Sequence, residues 1–303
     1  MLKTLLLLAL GAFALRAGAA AITNNSSADT SLLEIEPTHN NGGQSFTISG
    51  AIQNPPANPL RTRALYRFDL TSLPTNTLIR SVVLELTVTK QPGDGYATSI
   101  FSLHRMLRPW GEGNKVAVAF PGQGLPASDG EATWSHCFYP TNAWAAAGAA
   151  PDVDFLSGES SYQEVTVAGE SYRLESTPEL VDDVQTWVNH PSLNCGWILI
   201  SDGEGTQFTA RHFGSREDPD AHPNLELDFF VPPRFDLAQR VGNQFQMRFT
   251  PWPGQSYTVQ FSTNVSTGTW QTLTNIGLAT NSSPILVNDS LSAGPRCYRL
   301  SAY

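Results

Sequence analysis

The sequence predicts an all-β protein. It reads as a large antiparallel β-sandwich, jelly-roll-like and with one short helix, followed by a small immunoglobulin- or fibronectin-like β-sandwich. Three observations predict this. Apolar residues recur with period two over most of the chain, the pattern of strands with one buried face. The 24 glycines and 21 prolines punctuate short runs, as turns between strands require. A single stretch carries helical spacing.

The chain opens on MLKTLLLLALGAFALRAGAA, with one cation at Lys3, an apolar run from Leu5 to Leu15, and Ala17 and Ala19 as a small-residue cleavage site. Residues 1–20 therefore read as a signal peptide, too short to span a bilayer core of roughly 30 Å. The mature protein is expected to be secreted, extracellular or at the cell surface, with no membrane span. Removing Lys3 and Arg16 with the leader leaves 16 cations against 27 acids, a net charge of −11. Nucleic acid is an unfavourable partner for such a chain, because duplex binding needs a basic face to displace counterions.

Two domains are expected, 21–231 and 232–303. The boundary is VPPRF, where Pro232 and Pro233 cannot continue a sheet ladder. In the first domain, RALYRFDL sends Arg63, Leu65, Arg67 and Asp69 to one face and Ala64, Tyr66, Phe68 and Leu70 to the other. IRSVVLELTVTK places Val82, Leu84, Leu86 and Val88 on one face, and QPGDG turns the chain. The helix is STPELVDDVQTWVNH: Ser176 or Thr177 caps it and Pro178 sits in its first turn. Leu180, Val181, Val184, Trp187 and Val188 form its apolar stripe, and Pro191 ends it. Residues 110–162 are rich in Gly, Ala, Ser and Pro and read as long irregular loops. The second domain repeats short strands: QFQMRFTP, SYTVQFST, TWQTLTN, SPILVND and PRCYRLSA.

The motifs ADTSLLEIEPTHNNGG, RALYRFDLTSLPTNTLIRSVVLELTV, RMLRPWGEG, ATWSHCFYPTNAWAAAG, ELVDDVQTWVNHPSLNCGWILIS and SREDPDAHPNLELDFF follow one another in order. Together they make residues 28–230 resemble the DNRLRE domain, a β-sandwich family related to disaggregatase repeats. Some of its members behave as carbohydrate-binding modules, with anionic polysaccharides such as alginate among their ligands. Cys195 and Trp197 depart from it, standing where the family usually has aliphatics, and Pro151-Asp152 interrupts its usual Gly-Gly-Asp. The second domain, with YTVQFSTN, a tryptophan and CYRL, resembles a short terminal module of exported bacterial proteins and implies no activity.

No G-x-S-x-G, H-E-x-x-H, P-loop or dinucleotide fingerprint occurs. The six histidines lack metal spacing, so no zinc site and no catalytic residue is expected. No cofactor is expected either, beyond a structural calcium ion for which the loops at Asp152-Val-Asp154, Ser201-Asp202-Gly203-Glu204 and Asp218-Pro-Asp220 supply oxygens. Glu112, Glu131, Asp152 and Glu217 are the carboxylates that a glycosidase reading would need. Trp110, Trp134 and Trp144 fall in the loop-rich stretch, where rings either stack on sugar or pack under loops; Trp187 and Trp197 read as core. Arg63, Arg67, Arg211 and Arg216 offer guanidinium forks for uronates or for internal carboxylates. Cys137 and Cys195 are the one possible intradomain disulfide, with Cys297 left over.

The expected function is that of a secreted, non-catalytic protein binding an extracellular polysaccharide. A structural or adhesive surface protein is the alternative, and a polysaccharide lyase or hydrolase the third reading.

Overall fold

The structure is a computed structural model that describes residues 20–52, 59–93, 98–290 and 295–303. The segment read as a signal peptide lies outside the described residues as far as residue 19, and the QPGDG turn lies partly outside them. The chain divides into two compact units, a larger one of Ala21–Thr75 and Ile79–Asp228, and a smaller one containing Phe229–Tyr303.

Strands dominate, as the alternation predicts. They are β1 (Ala20–Leu33), β2 (His39–Asn40), β3 (Phe46–Ile52), β4 (Leu60–Phe68), β5 (Leu78–Lys90), β6 (Ser99–Arg105) and β7 (Leu125–Pro126). There follow β8 (His136–Phe138), β9 (Asn142–Ala143), β10 (Ser161–Val165), β11 (Ser171–Leu174), the helix α1 (Pro178–Asn189), β12 (Trp197–Ser201), β13 (Arg211–Gly214) and β14 (Asn224–Phe230). The C-terminal unit adds β15 (Leu237–Val241), β16 (Gln244–Phe249), β17 (Tyr257–Ser262), β18 (Gln271–Ile276), β19 (Ile285–Ser290) and β20 (Cys297–Ala302).

The main sheet runs in the order β1-β14-β5-β13-β3-β4-β12-β6-β10, with β11 against β5. It also closes on itself. Ser26–Leu33 of β1 lie antiparallel to Thr62–Phe68 of β4, which joins β1, β14, β5, β13, β3 and β4 into a six-strand ring. Strand β4 sits where ring and extension meet. On one edge its start pairs with β3 and its middle with β12, while its other edge holds β1. Strand β3 makes the matching corner at Gly50, leaving β13 for β4. The φ of 112° there suits glycine, and a Cβ would come within 2.6 Å of the Thr209 carbonyl oxygen.

The alternation in β4 separates two cores. Ala64, Tyr66 and Phe68 are fully buried on one face of the strand. Val82, Leu84, Leu86 and Val88 are buried along β5, as is Leu225 in β14. The opposite face of β4 carries Leu65, which packs with Ile198 of β12 in a second apolar cluster beneath the long loop 106–158.

Helix α1 begins where the cap residues place it. The Thr177 Oγ1 accepts a hydrogen bond from the Leu180 N–H at 3.0 Å, and Pro178 occupies the first turn. Leu180, Val184, Trp187 and Val188 are buried, and so is Asp183, a carboxylate on the apolar face. Its Oδ2 accepts from Trp197 Nε1 at 2.7 Å and from Ser160 Oγ at 2.5 Å, while Oδ1 lies 3.2 Å from Arg105. The Trp187 and Trp197 rings meet edge to face at 4.5 Å, so both are core residues as expected.

The C-terminal unit is a small sandwich. Sheets β15-β16-β19 and β18-β17-β20 enclose Met247, Phe249, Tyr257, Val259 and Val287.

The disulfide suggested for Cys137 and Cys195 is not formed. Both are free buried thiols in the apolar cluster under loop 106–158, and burial pushes both thiol pKa values up. The Cys137 thiol donates to the Asn142 carbonyl at 3.2 Å. They pack as small apolar side chains. Alkylation of the native protein should therefore label only the exposed Cys297, and alkylation after unfolding without reductant should label all three cysteines. Mass spectrometry reads the count, and a single label after unfolding would restore the bridge.

Candidate functional site

Strands β4, β12 and β6 lie side by side, and their outer face is built in register. Leu65 pairs with Ile198, and Ile198 with His104. Two residues along, Arg63 of β4, Ile200 of β12 and Ser102 of β6 share that face by the strand period. The loop 106–158 covers most of it. What remains open is a cleft of about 430 Å³, walled by Arg61, Arg63, His104, Phe155, Ser157 and Ile200 and by an alanine-rich shelf at residues 146–151. That volume lies in the range of small-ligand sites.

The three loop tryptophans hold the loop down instead of facing solvent. Trp110, Trp134 and Trp144 are 2%, 3% and 5% exposed, so none offers a free ring face to a sugar. Trp110 Nε1 donates to the Cys195 carbonyl at 2.8 Å and Trp144 Nε1 to the Thr133 carbonyl at 2.9 Å. Gly148 lies against the Trp134 ring, at a φ of 83° and so close that a Cβ there would overlap the ring. Such large rings gain more by covering the Leu65–Ile198 face than by standing in water.

The arginines read as cationic forks are also engaged within the protein. Arg63 makes a two-point contact with Glu204, at 2.7 and 2.8 Å, and donates Nη1 to the carbonyls of Gly148 (2.7 Å) and Ala149 (3.2 Å). Arg67 lies over the Trp110 ring at 5.1 Å, and among the described residues no ion pair to it is found. Arg211 is fully buried. Its guanidinium donates to the carbonyls of Phe208, Thr209, Ala210 and Thr166 and is no surface fork. Arg216 pairs with Glu112 and with Glu217, the latter at 3.0 Å. The sequence alternation brings Arg63 and Arg67 to one face of β4 but cannot show that carboxylates and rings on distant loops reach them first.

One arginine of the cleft escaped the sequence reading. Arg61 stands two residues before Arg63, so the same alternation places it on the same face. Its side chain is 40% exposed, and its guanidinium lies 5.0 Å above the Trp134 ring. Nε and Nη2 both donate to Glu34, at 3.0 and 2.6 Å. This pair holds Glu34 below the usual carboxylate range. His104 donates its Nδ1–H to the Leu156 carbonyl at 3.1 Å and packs against Phe155, and burial pushes its pKa down.

A second set of charges gathers where the ring closes. Asp29 of β1 is 1% exposed; its Oδ2 accepts from Ser26 Oγ at 2.6 Å and from the Arg216 N–H at 2.9 Å. Glu112 accepts the Asp29 N–H at 2.9 Å and Arg216 bridges Glu112 to Glu217. Burial, first, and the neighbouring Glu217 and Glu112 charges push Asp29 up to about 7. The sequence flagged Glu112 and Glu217 but not Asp29, which reads there as one polar residue in a strand. Its carboxyl is enclosed, so it ties β1 to two loops and has no path to an external substrate.

The other flagged carboxylates are held in place by backbone. Asp154 Oδ2 accepts from Ala145 and Ala150 N–H at 2.8 Å each, and Arg108 meets Oδ1 at 3.0 Å. Asp202 accepts from Ser99 Oγ and the Ile100 N–H, and Asp218 from the Asp220 and Ala221 N–H groups. Glu131 accepts the Ser128 N–H at 2.8 Å. Among the described residues no group of three or more His, Cys, Asp or Glu is placed to hold a metal ion. No described helix is long and apolar enough to cross a membrane.

No protein-family model matches the chain, and no curated protein matches it. Among solved structures, a β-1,2-glucanase from Parabacteroides distasonis is similar over 94% of this chain and 34% of that one, at 10% identity and a TM-score of 0.20. The chain thus spans about a third of that protein's length. At that score the likeness assigns neither fold nor activity to this chain.

Proposed function

We propose that this is an exported, non-catalytic protein that binds an extracellular polysaccharide through the cleft on the β4-β12-β6 face. The observation that carries the reading is the cleft itself, about 430 Å³, with an apolar shelf on one side and an arginine edge and a histidine on the other. Sugars present apolar C–H faces and polar hydroxyl rims, and sites that bind them need both kinds of wall. The resemblance of residues 28–230 to the DNRLRE domain supports the same class of ligand.

Calorimetry of the mature protein against alginate, pectin and neutral glucans tests the proposal. At least one glycan should give saturable heat. Ala147→Trp should abolish it, because Ala147 is an exposed member of the shelf and a large side chain there fills the cleft. No heat with any glycan, from protein that unfolds cooperatively, would overturn the reading. The second reading, a structural or adhesive surface protein, is favoured by the burial of Trp110, Trp134 and Trp144 and gains in that event.

A further inference from the structure

We infer that the cleft selects an uncharged glycan and rejects a uronate chain. This rests on the carbohydrate-binding reading and sets the substrate class for the same site. An anionic chain would need guanidinium donors free to receive its carboxylates. A guanidinium has five N–H donors, and Arg63 has four engaged, two by Glu204 and two by the carbonyls of Gly148 and Ala149. Arg61 gives Glu34 two donors on one edge, Nε and Nη2. A uronate must displace one of these two-point pairs or bind beside it.

The charge around the cleft points the same way. Two guanidinia, Arg61 and Arg63, face Glu34 and Glu204, which cancel them. The rim adds two exposed acids. Asp152 accepts the N–H of the lining residue Ser157 at 3.0 Å and stays below the usual carboxylate range. Glu159 accepts from Ser102 Oγ at 2.7 Å, beside His104. His104 adds no positive charge at neutral pH, since burial lowers its pKa. A polyanion therefore meets a surplus of carboxylates, in a chain whose formal net charge is −9. Like charges brought together at this rim repel an incoming polyanion. An uncharged sugar meets no such penalty. Its C–H face can lie on the alanine shelf, Phe155 and Ile200, and its hydroxyls can reach the free edge of Arg61 and Ser157.

The test uses the full chain and a matched pair of probes on one backbone, hydroxyethyl cellulose (neutral) and carboxymethyl cellulose (anionic), beside neutral glucans, pectin and alginate. Each is titrated at low and high salt. The expected result is binding of a neutral glycan, unchanged by salt, with anionic probes at least about tenfold weaker. Glu34→Gln should then raise affinity for anionic probes severalfold and make it salt-sensitive, because it releases Arg61. Stronger binding of anionic probes by the unaltered protein, weakened by salt and abolished by Ala147→Trp, would overturn this inference and leave the carbohydrate-binding reading standing. No gain from a folded Glu34→Gln variant would also overturn it. Binding of no probe at all overturns both.

Discussion

Asp183→Ala is expected to destabilise the larger unit by about 3–5 kcal/mol, the range for breaking a buried charged pair. The carboxylate accepts from both Trp197 Nε1 and Ser160 Oγ and forms an ion pair with Arg105. Removing it leaves an indole N–H in the core without a partner and strips Arg105 of its shielded carboxylate, while Asp182 at 3.6 Å is a largely exposed substitute. Asp183→Asn keeps an oxygen for the indole and the serine, so it should cost roughly half as much. Chemical denaturation of the three proteins reads the difference. Equal stability of Asp183→Ala and the unaltered protein would show that this hub does not hold helix to sheet.

Asp29→Asn should change how stability depends on pH. The carboxyl takes up its proton near pH 7 when folded and near 3.8 when unfolded. Between those values the folded state holds the extra proton, so stability is fully present below about pH 4 and is lost as pH rises through about 7. Asparagine mimics the protonated form and has no proton to lose. At 1.36 kcal/mol for each pH unit, the unaltered protein should lose about 3 kcal/mol more than the variant between pH 5 and pH 8. Denaturation midpoints at pH 5, 6.5 and 8 measure it. Parallel curves for the two proteins would mean that Asp29 is ionised throughout, held by Arg216 and Ser26 against its burial.

Both residues show where the sequence stops being informative. Period two in RALYRFDL correctly separates the faces of β4, because side-chain alternation is a local consequence of strand geometry. Thr177, Pro178 and the stripe Leu180, Val184, Trp187 and Val188 locate α1 for the same reason. Asp183 breaks that stripe, and an acid at a core position is the visible trace of the buried hub. Its partners Trp197 and Ser160 come from elsewhere in the chain, and no local pattern names them. The site was legible in part. Arg63 and Trp134 do come together, with Arg61 beside them, but the rings face inward and Glu204 and Glu34 take the guanidinia. Burial and pairing are long-range properties, set by how loop 106–158 folds back over the sheet. The ring closure was not legible at all, since alternation reports which face is buried and not which edges meet.

That closure has a consequence for how the chain acquires its structure. Strand β1 is made first, yet it borders β14, the last strand of the sheet. A chain synthesised from its N-terminus holds β1 without that neighbour until residues 224–230 have emerged. Joining ends so distant in sequence is slow, because the entropy of closing the intervening chain must be met before the contacts form. Refolding should therefore be limited by closure of the β1–β14 seam, and a shortened chain ending before residue 224 should remain open at that seam and prone to capture by other strands.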